Sequence, residues 1–185
     1  MPKLLNRFTL SLIWALTLSF TAQFAVAATK EEFPAKPALT GTTFNGKAFK
    51  LNTGKGDVVL VAFWATWCPT CRAEMPAFSK FYEENKKAGF ELVAVSIDDE
   101  MTDIDEYVKT SNWMSKNKQS FPSLWRNAGN YKDNFGKVYA TPTAFLIGRD
   151  GKVLESFKGE IKPEQWAHIK AAISATGAGS AHTKS

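Results

Sequence analysis

Along this chain the hydrophobic pattern changes period several times, and each change marks an element. Residues 58–65 form an unbroken apolar run of strand length with β-branched members, the pattern of a strand buried on both faces, and residues 90–97 are a second candidate for a buried strand. Between them Met75, Phe78, Phe81, Tyr82 and Asn85 recur near one face of a helix, while Lys80, Glu83, Glu84 and Lys86 fall largely elsewhere. A helix is therefore predicted from the cysteines at 68 and 71 to Gly89, a natural C-cap. Pro76 lies inside it and should bend rather than end it, since the apolar pattern continues beyond. Strand, helix and strand in succession imply parallel pairing through a right-handed crossover.

Further on, Ile104, Tyr107, Val108 and Ser111 predict a helix starting after Thr102 or Asp103, residues 121–125 a short extended piece, and residues 131–136 one helical turn. Residues 143–147 and 153–157 read as two strands, joined through Gly148-Arg149-Asp150-Gly151-Lys152, whose Asp-Gly favours a tight hairpin. A last helix has Pro163 in its first turn and Trp166, Ile169 and Ile173 on its apolar face. At the other end, residues 28–38, with Pro34 and Pro37, form an extended lead-in to a hairpin around Asn45-Gly46, flanked by Phe44, Phe49 and Leu51. From residue 174 to 185 Ala, Gly, Ser and Thr dominate, the composition of a disordered tail.

With 185 residues, 44% hydrophobic and 22% charged, the chain fits one globular domain, here residues 39–173, with room for a core of its own. Residues 1–27 read as an export signal: Lys3 and Arg7 supply positive charge, residues 10–20 an apolar run, and Ala25-Val26-Ala27 a small-residue cleavage site. A membrane anchor is the competing reading, because the apolar stretch approaches the roughly 20 residues that span a bilayer; Thr17, Ser19, Thr21 and Gln23 weaken it. Either way the domain is expected outside the cytoplasm, in the periplasm, and touches a membrane only if this segment is retained. The formal charge of +5 becomes +3 without the signal, 21 basic against 18 acidic residues. The lysines are scattered and no nucleic-acid motif is present, so no polyanion partner is expected.

The chain has two cysteines, in Cys68-Pro69-Thr70-Cys71, directly after a buried strand and at the start of a helix. Unpaired amides and the helix dipole favour negative charge there, so a Cys68 thiolate is stabilised and becomes a nucleophile near neutral pH. Cys71, one turn later, is close enough to attack a mixed disulfide formed by Cys68. A metal site needs about four ligands, and of the two cysteines and two histidines here one, His182, lies in the weak tail. A purely structural bridge over two intervening residues would restrict the unfolded chain little. A peroxide-reducing mechanism on one cysteine stays open but leaves Cys71 without its obvious role.

The segment Val59-Leu60-Val61-Ala62-Phe63-Trp64-Ala65-Thr66-Trp67-Cys68-Pro69-Thr70-Cys71-Arg72-Ala73-Glu74-Met75-Pro76 closely resembles the active-site segment of exported thioredoxin-like proteins of the TlpA, ResA and CcmG type. Ala140-Thr141-Pro142-Thr143-Ala144-Phe145-Leu146-Ile147, followed by Asp150-Gly151-Lys152, resembles their second signature, and the likeness extends over about residues 33–173. It implies a thioredoxin-like α/β fold: a central mixed β-sheet with helices on both faces, an added N-terminal β-hairpin and an insertion before the cis-proline strand.

Several roles follow from the resemblance. Pro142 matches the family's cis-proline facing the cysteines, and Thr141 would offer its backbone to an extended substrate. Trp67 borders the reactive sulfur as an apolar contact surface, while Pro69 and Thr70 tune the redox potential. Cytoplasmic thioredoxins carry a buried acid where Ala62 stands; Glu74 resembles the acid of the exported subfamily and would take the proton from Cys71. The implied activity is thiol-disulfide oxidoreduction on disulfide- or thiol-bearing protein substrates, mostly in the reducing direction, including service to cytochrome c maturation, with re-reduction by a membrane-embedded thiol carrier and no bound cofactor. A disulfide-donating oxidant and a non-catalytic binding or chaperone module are the alternatives. The aromatics Trp113, Trp125, Tyr131 and Phe135 would either fill the core or line a partner groove, and His168 is given no role.

Overall fold

The computed structural model describes residues 33–111 and 121–175. The expected signal or anchor segment, the tail beyond residue 175, and Trp113 lie outside them. Among the described residues eight strands and three helices follow in order: β1 (Leu39–Thr42), β2 (Ala48–Lys50), β3 (Val58–Trp64), α1 (Pro69–Asn85), β4 (Phe90–Ser96), α2 (Met101–Thr110), β5 (Ser123–Trp125), β6 (Lys132–Asp133), β7 (Thr143–Ile147), β8 (Val153–Lys158) and α3 (Pro163–Ser174).

The apolar runs become the middle of a five-stranded mixed sheet in the order β5-β4-β3-β7-β8. β3 lies parallel to β4, with Val58 opposite Phe90 and Trp64 opposite Ser96, and antiparallel to β7, with Phe63 opposite Thr143. Every residue of β3 is buried, as its lack of alternation requires. Its side chains alternate between two cores. Val58, Leu60, Ala62 and Trp64 join Met75, Phe78 and Phe81 of α1 and Ile169 and Ile173 of α3, with Tyr107 and Val108 of α2 at the margin. Val59, Val61 and Phe63 join Leu39, Leu51, Phe135, Phe145 and Ile147.

The thioredoxin-like layering is thus present, with one difference from expectation. Among the described residues the helices pack on one face, and the other is covered by a small sheet, β2-β1-β6, and the chain around Phe135. The reason is topological: β3-α1-β4 and β4-α2-β5 step the same way across the sheet, and two right-handed crossovers in one direction leave their helices on the same side. The hairpin around Asn45-Gly46 supplies β1 and β2, with Gly46 at φ 80°. It also reaches the edge of the main sheet, where Thr43 bridges Leu124 and the Phe44 N–H donates to the Ser123 carbonyl.

Two sequence expectations are corrected. Residues 131–136 contain no helical turn: Lys132 and Asp133 form β6, antiparallel to Thr40 and Leu39. A neighbouring strand with unpaired backbone groups decides this, and local propensity does not foresee it. α2 begins at Met101 rather than after Thr102 or Asp103; no side chain caps it, and Asp103 sits in the first turn, where a negative charge meets the helix dipole favourably. Elsewhere the pattern holds. α1 continues through Pro76, and a single 3-10 turn then carries the chain to Gly89, left-handed at φ 80°. Pro163 opens α3.

Candidate active site

Cys68 is the N-cap residue of α1. Its backbone is extended (φ −91°, ψ 106°), Pro69 follows at the first helical position, and the Cys68 sulfur accepts the Cys71 N–H at 3.1 Å. Proline suits that position because its missing N–H would have had no helical partner. A disulfide joins Cys68 to Cys71 across a Cα–Cα distance of 5.3 Å. Both cysteines are buried, whereas Trp67 just before them is 60% exposed, and Pro69 and Thr70 are also exposed. The sulfur pair therefore sits at the lip of the core, with an indole standing in water beside it.

Glu74, one turn beyond Cys71, is buried on the same helix. Its Oε1 accepts the Ile161 N–H at 2.7 Å, while Oε2, also buried, has no hydrogen-bond partner among the described residues. Burial raises its pKa above the ordinary carboxylate value. The Ile161 N–H pulls the other way, Glu160 adds to the rise, and Lys162 opposes it. Ala62 lies between Ala94 and Ala144 on the neighbouring strands, so its surroundings in the sheet are apolar.

The register of the sheet brings the second signature to the same end. β7 runs against β3, so the residues before Thr143 leave the sheet beside the end of β3 from which Thr66, Trp67 and Cys68 depart. The Thr141–Pro142 bond is cis, and the Pro142 carbonyl accepts the Gly159 N–H at 2.8 Å. Pro142 is buried, and the buried hydroxyl of Thr141 has no partner among the described residues. The Thr143 hydroxyl donates to the Ala140 carbonyl at 2.8 Å.

Sequence reasoning missed Asp98. It follows β4, which ends parallel to β3, and is completely buried. The Thr66 N–H lies 3.0 and 3.1 Å from its two carboxylate oxygens, the Thr66 hydroxyl donates to Oδ1 at 2.6 Å, and the Ser96 hydroxyl donates to Oδ2 at 2.6 Å. The one signal in the sequence was an acid set directly after an apolar strand run. Of the middle-segment aromatics among the described residues, Phe135 lies against Phe63 and Phe145, Tyr131 packs at the margin of the same core, and Trp125 donates its indole N–H to the Asp98 carbonyl at 2.7 Å. His168 stands on the surface, 3.3 Å from Glu155. Among the described residues no group of three or more His, Cys, Asp or Glu could hold a metal ion, and no helix is long and apolar enough to cross a membrane.

Comparison with known proteins agrees with this chemistry. The AhpC/TSA family model matches residues 32–156. The thiol-disulfide oxidoreductase ResA of Bacillus thuringiensis subsp. konkukian is 36% identical over 129 residues, 70% of each chain, and ResA of B. thuringiensis strain Al Hakam is 33% identical over 166 residues, 88% of this chain and 92% of that one. The crystal structure of a DsbE-type thiol:disulfide interchange protein from Chlorobium tepidum superposes with a TM-score of 0.62 at 28% identity, covering 77% of this chain and 98% of that one. A helix capped by one cysteine of a bonded pair, on a thioredoxin-like sheet, thus has relatives matched over most of their length, and the chain belongs to the AhpC/TSA family as a thioredoxin-like thiol-disulfide oxidoreductase of the ResA and DsbE type.

Proposed function

We propose that this oxidoreductase works outside the cytoplasm as a reductant of protein disulfides, with Cys68 as nucleophile and Cys71 as the resolving thiol. The observation that carries the reading is the Cys68 sulfur accepting the third helical N–H at the N-terminus of α1. A thiolate there meets an amide that already points at it, together with the positive end of the helix dipole.

The exchange balances as follows. The Cys68 thiolate attacks one sulfur of a substrate disulfide, forming a mixed disulfide and releasing the other substrate sulfur as a thiolate. Glu74, as carboxylate, takes the proton from Cys71. The Cys71 thiolate attacks the Cys68 sulfur, closing the Cys68–Cys71 disulfide and expelling the second substrate thiolate. Two electrons pass to the substrate, and its thiolates take up two protons, one by way of Glu74. A thiol carrier in the membrane returns the electrons to the pair. Trp67 and the Thr141–Pro142 segment receive the substrate chain, and Pro69 and Thr70 tune the potential. The apolar run in residues 10–20 and the Ala25-Val26-Ala27 ending support export to the periplasm, where cytochrome c maturation is one process that consumes such reducing power.

Trapping tests this reading. Cys71→Ser should accumulate mixed disulfides through Cys68, and mass spectrometry of the adducts identifies the partners. Cys68→Ser should form none and should leave insulin intact; insulin reduction by that variant would overturn the assignment. Direction is read from the reduction potential: a value near about −270 mV fits a reductant and one near about −120 mV an oxidant.

A further inference from the structure

We propose that Asp98 is a positioning residue for the exchange, acting through Thr66 to hold the Trp67–Cys68 turn. The inference rests on the assignment of Cys68 as nucleophile and deepens it. Thr66 sits two residues before Cys68, in the stretch that leaves β3 and enters α1, where no sheet or helix hydrogen bonds fix the backbone. Two interactions anchor residues 65–67, ahead of Cys68, whose own carbonyl accepts the Arg72 N–H at 3.1 Å. The Cys68 N–H donates to the Ala65 carbonyl at 3.2 Å, and Thr66 is bound to Asp98 through both its N–H and its hydroxyl.

The anchor is itself fixed from three sides. Asp98 is fully buried, its Oδ2 accepts the Ser96 hydroxyl, and its own N–H donates back to that hydroxyl at 3.0 Å. Its carbonyl accepts both the Trp125 indole N–H and the Asn127 side-chain amide at 3.0 Å. A carboxylate with three donors aimed at it and its main chain held from the neighbouring strand cannot shift without breaking several buried hydrogen bonds at once. The side chain is an acceptor at every contact, so an amide in its place either faces its NH2 to the donor-only Thr66 N–H or makes the Ser96 hydroxyl turn from donor to acceptor. What Asp98 fixes is the approach of the chain to the reactive sulfur. In-line attack on a disulfide is sensitive to displacements of an ångström or less.

The test uses the full chain, reduced, with stopped-flow measurement of its reaction with the small aromatic disulfide dithiobis-nitrobenzoate, at a temperature where every variant is fully folded by circular dichroism. Thr66→Val, which keeps the shape and removes the hydroxyl, and Asp98→Asn should each slow the reaction about tenfold. Thr66→Ser should restore the rate, and the double variant Asp98→Asn/Thr66→Val should be no slower than either single one. A role confined to stability would lower the melting temperature and leave these rates unchanged, which would overturn the proposal, as would multiplicative slowing in the double variant. If Asp98→Asn does not fold, the Thr66→Val and Thr66→Ser pair decides alone, and a wild-type rate in Thr66→Val overturns it. Loss of activity confined to Cys68→Ser supports the nucleophile; wild-type protein inert toward the probe overturns that reading and this one together.

Discussion

Glu74 Oε1 and the Ile161 N–H, 87 residues apart in the chain, meet at 2.7 Å in the core and tie the cysteine-bearing helix to the turn that opens α3. The second oxygen of the same carboxylate is buried without a partner among the described residues. A carboxylate half satisfied in this way favours its neutral form.

The pH dependence of stability follows from that relationship. Burial raises the Glu74 pKa in the folded protein above 4.5. The folded state therefore binds more proton than the unfolded one between those two values. The contribution of Glu74 to stability should fall as pH rises through that window and change no further above it. Glu74→Gln keeps an oxygen for Ile161 and cannot ionise, so urea denaturation across pH should lose this segment of the curve. The same variant should slow turnover on the order of 10²-fold, as for loss of a positioned general base, with a changed pH–rate profile.

Phe63 is fully buried between Phe135 at 5.7 Å and Phe145 at 5.9 Å, with the Arg126 guanidinium 4.9 Å over its ring. Phe63→Ala empties the centre of the second core and should lower unfolding free energy by about 3–5 kcal/mol, measured by chemical denaturation of the oxidised protein.

Gly46 and Gly151 share a positive φ, 80° and 82°, and differ in surroundings. A Cβ at Gly46 would meet nothing within 4 Å; one at Gly151 would lie 2.9 Å from the Gly54 nitrogen. Gly46→Ala should destabilise by about 1–2 kcal/mol, the cost of left-handed backbone alone. Gly151→Ala should exceed it, because the obstacle is backbone that has no rotamer to yield. Thermal melts of the two variants side by side check the difference.

Arg126 pairs with Asp133 through Nε at 2.9 Å and Nη2 at 3.0 Å, and Asp133 also receives the Phe135 N–H. Arg126→Ala strands a carboxylate that is only 5% exposed, a loss of about 3 kcal/mol. Since Asp133 belongs to β6, amide exchange should quicken first in β1 and β6, ahead of β3 and β4.

The middle of the central sheet was legible because β3 is wholly apolar and β4 and β7 are largely so, and α1 and α3 because their apolar faces recur at helical spacing. β6 was not, since Lys132-Asp133 has no strand pattern of its own and is a strand only because β1 lies beside it. The cysteines and Glu74 stood out by residue type and by the resemblance of their segment. Asp98 did not: its partners Thr66, Ser96, Trp125 and Asn127 come from the ends of three strands, and only the assembled sheet brings them around one carboxylate.

The hairpin bridge at Thr43–Leu124 also governs what can be added to this molecule. β5 would otherwise present a bare margin of parallel sheet, open to any stray extended chain. With Thr43 bridged to Leu124 and the Phe44 N–H on the Ser123 carbonyl, the other margin of the main sheet is β8, which carries Glu155 and Lys158. Charges on an outer strand discourage edge-to-edge joining, so neither margin of the main sheet offers an extended chain a ready template for aggregation.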